Sequence, residues 1–203
     1  MNILRPTPAT SVLKCLGMVL AGSALYGVAF GIWRSPLQAC YSAIKMPLLF
    51  LSIVATSGTA NAMLSQALGA GLSFRQVFRC IAIGMAIAAA LLGALSPVAL
   101  FFAVQLPVSS AAYPWVLLGH TALVGLCGTV GIIHLHRLLR TLTTMPNRVL
   151  TAWFLVSGFV GCQLSWIFSP FLAMPDRPEP FFNPAAFSGN FYEYLWHTLF
   201  GGA

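Results

Sequence analysis

Few side chains in this 203-residue chain can carry polar chemistry, so their spacing decides which chemistry is open to it. His120 lies inside an apolar run. It is read either as a histidine hydrogen-bonded within a helix bundle or as an axial ligand to haem or a chlorophyll-type pigment. His120 and His134 are spaced to suit two stacked haems on one helix, but a bis-histidine arrangement needs a second helix with a matching pair, and the sequence offers none. His134 and His136 look like a metal pair, yet residues two apart on a helix point about 200° from each other and do not chelate one ion. With Arg137 and Arg140 following, "HLHRLLR" reads as a basic interfacial end, and no metal site is expected. Arg75 and Arg79, at i and i+4, read as a second anchor of this kind, suited to phospholipid headgroups.

A second polar constellation is "VATSGTANAMLSQ". Ser57, Asn61 and Ser65 recur at i, i+4 and i+8 on one helical face. An Asn amide facing lipid is unfavourable, so Asn61 is expected to point into a bundle or an interface between chains. Its role is either interhelical hydrogen bonding or the polar lining of a path for a small solute or ion. The carboxylates number only three, Asp176, Glu179 and Glu193, all near one end of the chain. No nucleophile–base–acid set, phosphate loop or dinucleotide fingerprint is visible. The five cysteines, Cys15, Cys40, Cys80, Cys127 and Cys162, are dispersed without CxxC spacing and read as small packing residues rather than disulfide or zinc ligands.

The elements that must position these groups are membrane helices. The chain is 59% hydrophobic and 6% charged, whereas a soluble domain carries about 25% charged residues. The net charge of +7 does not point to nucleic acid, because the basic residues are scattered between apolar runs and form no stripe. The predicted fold is all-α: five transmembrane helices at about residues 15–33, 46–64, 78–102, 115–135 and 149–168, each long enough to cross roughly 30 Å of hydrocarbon. Arg5 and Lys14 ahead of the first run resemble a signal peptide, but the run is expected to be a retained span. Ser35-Pro36 reads as an N-cap with proline at the first helical position, starting a short interfacial helix from Leu37 to Ile44 before Pro47 redirects the chain into the second span. Gly69 and Gly71 end that span. Ser73 and Gln76 have capping-box spacing, and Pro97 is expected to kink the third span. Glycines at Gly27/Gly31, Gly125/Gly128/Gly131 and Gly158/Gly161 suit close helix contacts.

Counting Lys and Arg by side places Arg5, Lys14, Arg75, Arg79, Arg137, Arg140 and Arg148 together, against Arg34, Lys45 and Arg177. The bias predicts a cytoplasmic N-terminus and an extracytoplasmic tail from residue 170 to 203, beyond a membrane domain of residues 1–169. Prolines keep the first half of this tail extended. Residues 190–200 are expected to form an interfacial amphipathic helix, with Phe191, Tyr192, Tyr194, Leu195, Trp196 and Leu199 on one face and Glu193 and His197 on the other. The aromatic residues Phe181, Phe182, Phe191, Tyr194 and Trp196 are candidates for packing on the bundle or on a partner.

From Val160 onward, Gly161, Gln163, Trp166, Pro170-Phe171, Pro175, Pro178, Phe181-Phe182 and Gly189-Asn190 followed by Tyr192 form a pattern, as do "YSAIKMPLLFL" and "LSFRQV" earlier in the chain. On these residues the sequence resembles a group of uncharacterised bacterial multi-pass inner-membrane proteins. That pattern has arginine immediately before Pro170, where this chain has Ser169. The five-span layout is also similar to Yip1-like membrane proteins, a likeness of architecture that implies no activity.

Three functions compete at this level. The leading expectation is a non-enzymatic accessory, scaffold or assembly subunit of a bacterial inner-membrane complex, in contact with lipid and with other subunits or copies of itself and requiring no cofactor. The second is an oligomeric channel or facilitator lined by Ser57, Asn61 and Ser65. The third is a pigment- or haem-binding subunit using His120.

Overall fold

A computed structural model describes residues 8–182, 186 and 189–200. Arg5 and Pro184 fall outside the described residues, as do the side chains of Tyr194, His197 and Leu199. The described chain is helical: α1 (Pro8–Gly31), α2 (Pro36–Ala67), α3 (Phe74–Gln105), α4 (Tyr113–Leu139), α5 (Pro146–Phe168) and α6 (Phe191–Phe200). Five of these are long and apolar enough to cross a membrane, and the protein is a multi-pass membrane protein.

The local signals at the joints act as expected. Ser35 Oγ accepts from the Gln38 amide at 3.0 Å, with Pro36 opening α2. Gly69 adopts φ +66°, and the amides of Gly69 and Ala70 close back on the carbonyls of Gln66 and Ser65, a Schellman arrangement. At the start of α3 the Ser73 amide donates to Gln76 Oε1 at 2.8 Å while Ser73 Oγ accepts from the Gln76 amide, completing the capping box.

One boundary differs from expectation. Leu37–Ile44 is not a separate interfacial helix; α2 runs unbroken through Pro47 for 32 residues. A proline inside a membrane helix removes one intrahelical hydrogen bond, and it is tolerated where neighbouring protein encloses the segment. Here Met46, Pro47, Leu49 and Phe50 are all buried, packed against α1 and the tail. α3 likewise continues through Pro97.

The packing has a tight centre and a loose flank. α1 lies against both α2 and α3, and its glycines make this possible. A methyl group at Gly22 would collide with the Ala89 carbonyl, one at Gly27 with the Ser42 carbonyl, and one at Gly31 with the Gln38 carbonyl. These are backbone-to-backbone approaches that any larger side chain would open. Around them Val19, Tyr26, Ala89 and Leu92 are fully buried. α4 packs on α3, with Gly131 against the Gly84 carbonyl, and α5 packs on α2. On α5 only Val149 and Trp153 are buried.

Replacing Gly22 or Gly27 by Val is therefore expected to lower the stability of the detergent-solubilised chain by about 1–3 kcal/mol or more through overpacking. Gly125→Val, where open space adjoins the Cα, is expected to change it little. Thermal unfolding of the three variants in one detergent checks the contrast.

Candidate functional site: the tail clasp and the adjoining cavity

The segment following α5 has no regular secondary structure between Ser169 and Glu179, so its carbonyls need partners from elsewhere. α2 supplies them from a stripe at i, i+4 and i+7. Gln38 Nε2 donates to the Phe171 carbonyl at 2.8 Å, Ser42 Oγ donates to the same oxygen at 2.5 Å, and Lys45 Nζ donates to the Pro170 carbonyl at 2.8 Å. From α4, Tyr113 donates its hydroxyl to the Leu172 carbonyl at 3.2 Å. Three successive tail carbonyls are thus held by two membrane helices. Gln38, Ser42 and Lys45 are completely buried.

Lys45, counted from the sequence among the cations of the segments between spans, lies inside α2 and is completely buried. The side chain is enclosed with no carboxylate partner among the described residues. Its Nζ faces the Phe181 ring, 5.0 Å from the centroid, in addition to the Pro170 carbonyl. An amine in such surroundings depends on these two acceptors, because water does not reach it.

Further along, the acidic residues fasten the tail. Arg34 Nη2 donates to the Pro175 carbonyl at 2.8 Å, and its Nε lies 3.4 Å from Glu179 Oε1, an ion-pair distance without hydrogen-bond alignment. Ser35 Oγ donates to Glu179 Oε2 at 2.6 Å, and Ser110 bonds Asp176. Ser35 serves twice, capping α2 and holding the tail. Glu193 lies in the first turn of α6, where Asn190 Oδ1 accepts from its amide at 2.8 Å.

The aromatic candidates divide. Phe181 packs edge-on to Tyr41 at 5.1 Å and belongs to the clasp. Phe182 lies 6.3 Å from Phe168 and is partly exposed. The Phe191 amide donates to Gln163 Oε1 at 3.0 Å, and the neighbouring Tyr192 stacks on Phe159 at 4.4 Å. These contacts seat α6 on α5. Trp196 and Leu195 point outward from it, both exposed.

Ser57, Asn61 and Ser65 are completely buried. Asn61 Nδ2 donates to Ser157 Oγ of α5 at 3.0 Å. Trp153 Nε1 donates to Ser65 Oγ at 2.9 Å, and Ser65 in turn donates to the Asn61 carbonyl at 2.7 Å. In the single chain Asn61 and Ser65 join α2 to α5, while Ser57 Oγ has no hydrogen-bond partner among the described residues.

His120 is 7% exposed, with its Nδ1 2.8 Å from the Tyr26 hydroxyl of α1. It also borders a half-open cavity of about 390 Å³ lined by α1, α2, α4, α5 and the clasped tail, with Phe50, Thr121, Ser165, Ser169 and Phe171 among its walls. The pairing of His120 with Tyr26, 94 residues away, had no signal in the sequence. The stripe of Gln38, Ser42 and Lys45 did have one, in its helical spacing.

At the opposite end of the bundle, Arg75, Arg137, Arg140 and Arg148 are exposed and Arg79 is half-buried. All lie at or near helix termini that the alternating chain direction brings together. His134 Nδ1 lies 3.0 Å from the Val130 carbonyl, and His136 Nε2 lies 2.8 Å from Asn147 Oδ1 at the start of α5. Each therefore has its own partner, and no cluster of three metal-ligating side chains occurs among the described residues. Comparison with protein-family models, with curated proteins and with solved structures finds no match to this chain.

Removing the Glu179 charge with Glu179→Gln, or the Lys45 donor with Lys45→Met, is expected to loosen the tail without unfolding the helices. Loss of the Lys45 charge-assisted bond corresponds to roughly 1.5–3 kcal/mol, or roughly ten- to a hundredfold faster local opening, and loss of the partly exposed Arg34–Glu179 pair to less, about 0–1 kcal/mol. Amide hydrogen exchange across residues 170–181 reads the change directly, with α1 and α3 as unaffected controls.

Proposed function

We propose that the protein is a non-enzymatic subunit of a membrane complex, an accessory or assembly component that docks through the outer face of α4 and α5. The observation that carries this reading is the unequal use of glycine. Gly22, Gly27 and Gly31 of α1 each meet the backbone of a neighbouring helix. Gly125 and Gly128 of α4 and Gly158 of α5 have nothing within 4 Å of a Cβ built on them. Glycine weakens a helix by about 1 kcal/mol relative to alanine, and small residues in membrane helices favour close approach of another helix.

A groove of about 250 Å³ between α3, α4 and α5, floored by Ile53 of α2, supports the same face. Gly128 and Gly158 lie along it together with Trp153 and Phe154, and Ser157 is its single hydroxyl-bearing wall residue. Beyond it, Phe154 and Phe159 of α5 and Trp196 of α6 are exposed. We place the protein in a bacterial inner membrane with the N-terminus cytoplasmic. Support comes from the exposed arginines at the end where α3 and α5 begin, and from the enclosure or pairing of Lys45 and Arg34 at the other. The arginine-rich end meets phospholipid headgroups.

In native mass spectrometry after mild detergent extraction, the wild type is expected as part of a larger assembly. The double variant Gly128→Leu/Gly158→Leu is expected as a single chain with an unchanged melting temperature. Cross-linking from the exposed Cys162 of α5 should reach the bound subunit. A wild type that is monomeric, with no cross-linked product, would sink the reading.

A further inference from the structure

The cavity beneath the tail has a polarity that limits what it can hold. Most of its wall is apolar, including Phe30, Met46, Leu49, Phe50, Val124 and Phe171. Its hydroxyls are largely committed. Tyr113 donates to the Leu172 carbonyl at 3.2 Å, Thr121 to the Leu117 carbonyl at 2.8 Å, and Ser169 to the Trp166 carbonyl at 2.7 Å. Each of these groups has given its proton to the main chain and offers the cavity only lone pairs.

His120 differs. Its Nδ1 lies 2.8 Å from the Tyr26 hydroxyl, whereas the alternative acceptor for that hydroxyl, the His120 carbonyl, lies 3.4 Å away. That carbonyl is inside α4 and already serves the helix ladder. With Tyr26 as the donor at the shorter contact, Nδ1 accepts and the ring proton resides on Nε2. The Nε2–H makes no hydrogen bond among the described residues. Tyr26, itself completely buried and outside the cavity wall, fixes the tautomer from behind.

We propose that this cavity binds a lipid-soluble molecule through a carbonyl oxygen that accepts a hydrogen bond from His120 Nε2. Its volume of about 390 Å³ falls in the range of about 300–1,000 Å³ of small-molecule sites. Two sources share this chemistry: the ring carbonyl of a quinone and the ester carbonyl of a membrane glycerolipid. The tautomer opposes ligation of haem iron or a pigment metal at Nε2, since that bond needs the lone pair which the proton occupies. His120 is thus a binding residue, and Tyr26 is a positioning residue acting through it.

The full chain, purified in detergent, is titrated with a short-chain benzoquinone in one arm and a phosphatidylethanolamine in the other. Native mass spectrometry counts bound molecules, and the infrared band of the bound carbonyl reports its hydrogen bond. One of the two probes is expected to bind one to one with a shifted carbonyl band. His120→Leu is expected to weaken that binding about tenfold, the effect of one lost hydrogen bond, and His120→Gln, which keeps a side-chain N–H, to restore most of it. Tyr26→Phe leaves the wall intact, so the carbonyl band is expected to move back toward its free position; this variant carries the test should His120→Leu fail to fold. Binding of neither probe, binding indifferent to both His120→Leu and Tyr26→Phe, or a haem absorption band that disappears with His120→Leu would each overturn the proposal.

Discussion

Irregular backbone placed against membrane helices must have its carbonyls satisfied by protein, because lipid offers no donors. That requirement organises the half of this molecule that carries the tail. Residues 170–172 leave α5 without secondary structure, and their three carbonyls are taken by Gln38, Ser42, Lys45 and Tyr113. Once the donors are committed, the rest follows. The N-terminal half of α2 is buried and continues through Pro47, and Lys45 sits in a place where a free amine would be strongly unfavourable. The tail becomes the roof of the cavity that His120 borders. The acidic residues clustered in the tail then have a physical purpose: Glu179 and Asp176 fasten its more exposed portion to Arg34, Ser35 and Ser110.

The bundle itself uses two grades of contact. Where α1 meets α2 and α3, glycine lets backbones touch, and the interior is filled by small and aliphatic side chains. Where α5 meets α2, hydrogen bonds share the work: Asn61 to Ser157, and Trp153 to Ser65. Such bonds between membrane helices contribute about 0.6 kcal/mol on average, so they select register more than they supply affinity. α5 is consequently the peripheral crossing, attached along one side and open along the other. This asymmetry is what the proposed docking role rests on.

Much of the frame was legible because the signals are local. Five apolar runs, the Ser35 and Ser73 caps, the Gly69 terminator and the Asn190 start of α6 each depend on residues within a few positions of one another. The failures were tertiary. Pro47 looked like a boundary because its consequence for a helix depends on what surrounds it, and the enclosing tail lies more than a hundred residues downstream. Lys45 looked like a loop cation for the same reason. Asn61 was correctly expected to face inward, since the unfavourable alternative is a property of the residue itself. His120 was noticed as a polar group in an apolar run, but its partner Tyr26 reads as one aromatic residue among many. Its two ring nitrogens acquire different roles only once that hydroxyl is in place.

The separation of Lys45 from Pro170, 125 residues along the chain, has a consequence for biogenesis. Ribosomes add about 5–20 residues per second, so Lys45 is made many seconds before the carbonyl that receives its amine. Throughout that interval the early helices are in place without their cover, and the amine must be held by headgroups or by the insertion machinery. The segment after the final crossing therefore completes the second one, and a chain that ends between α2 and residue 170 carries a membrane helix whose lysine lacks this acceptor.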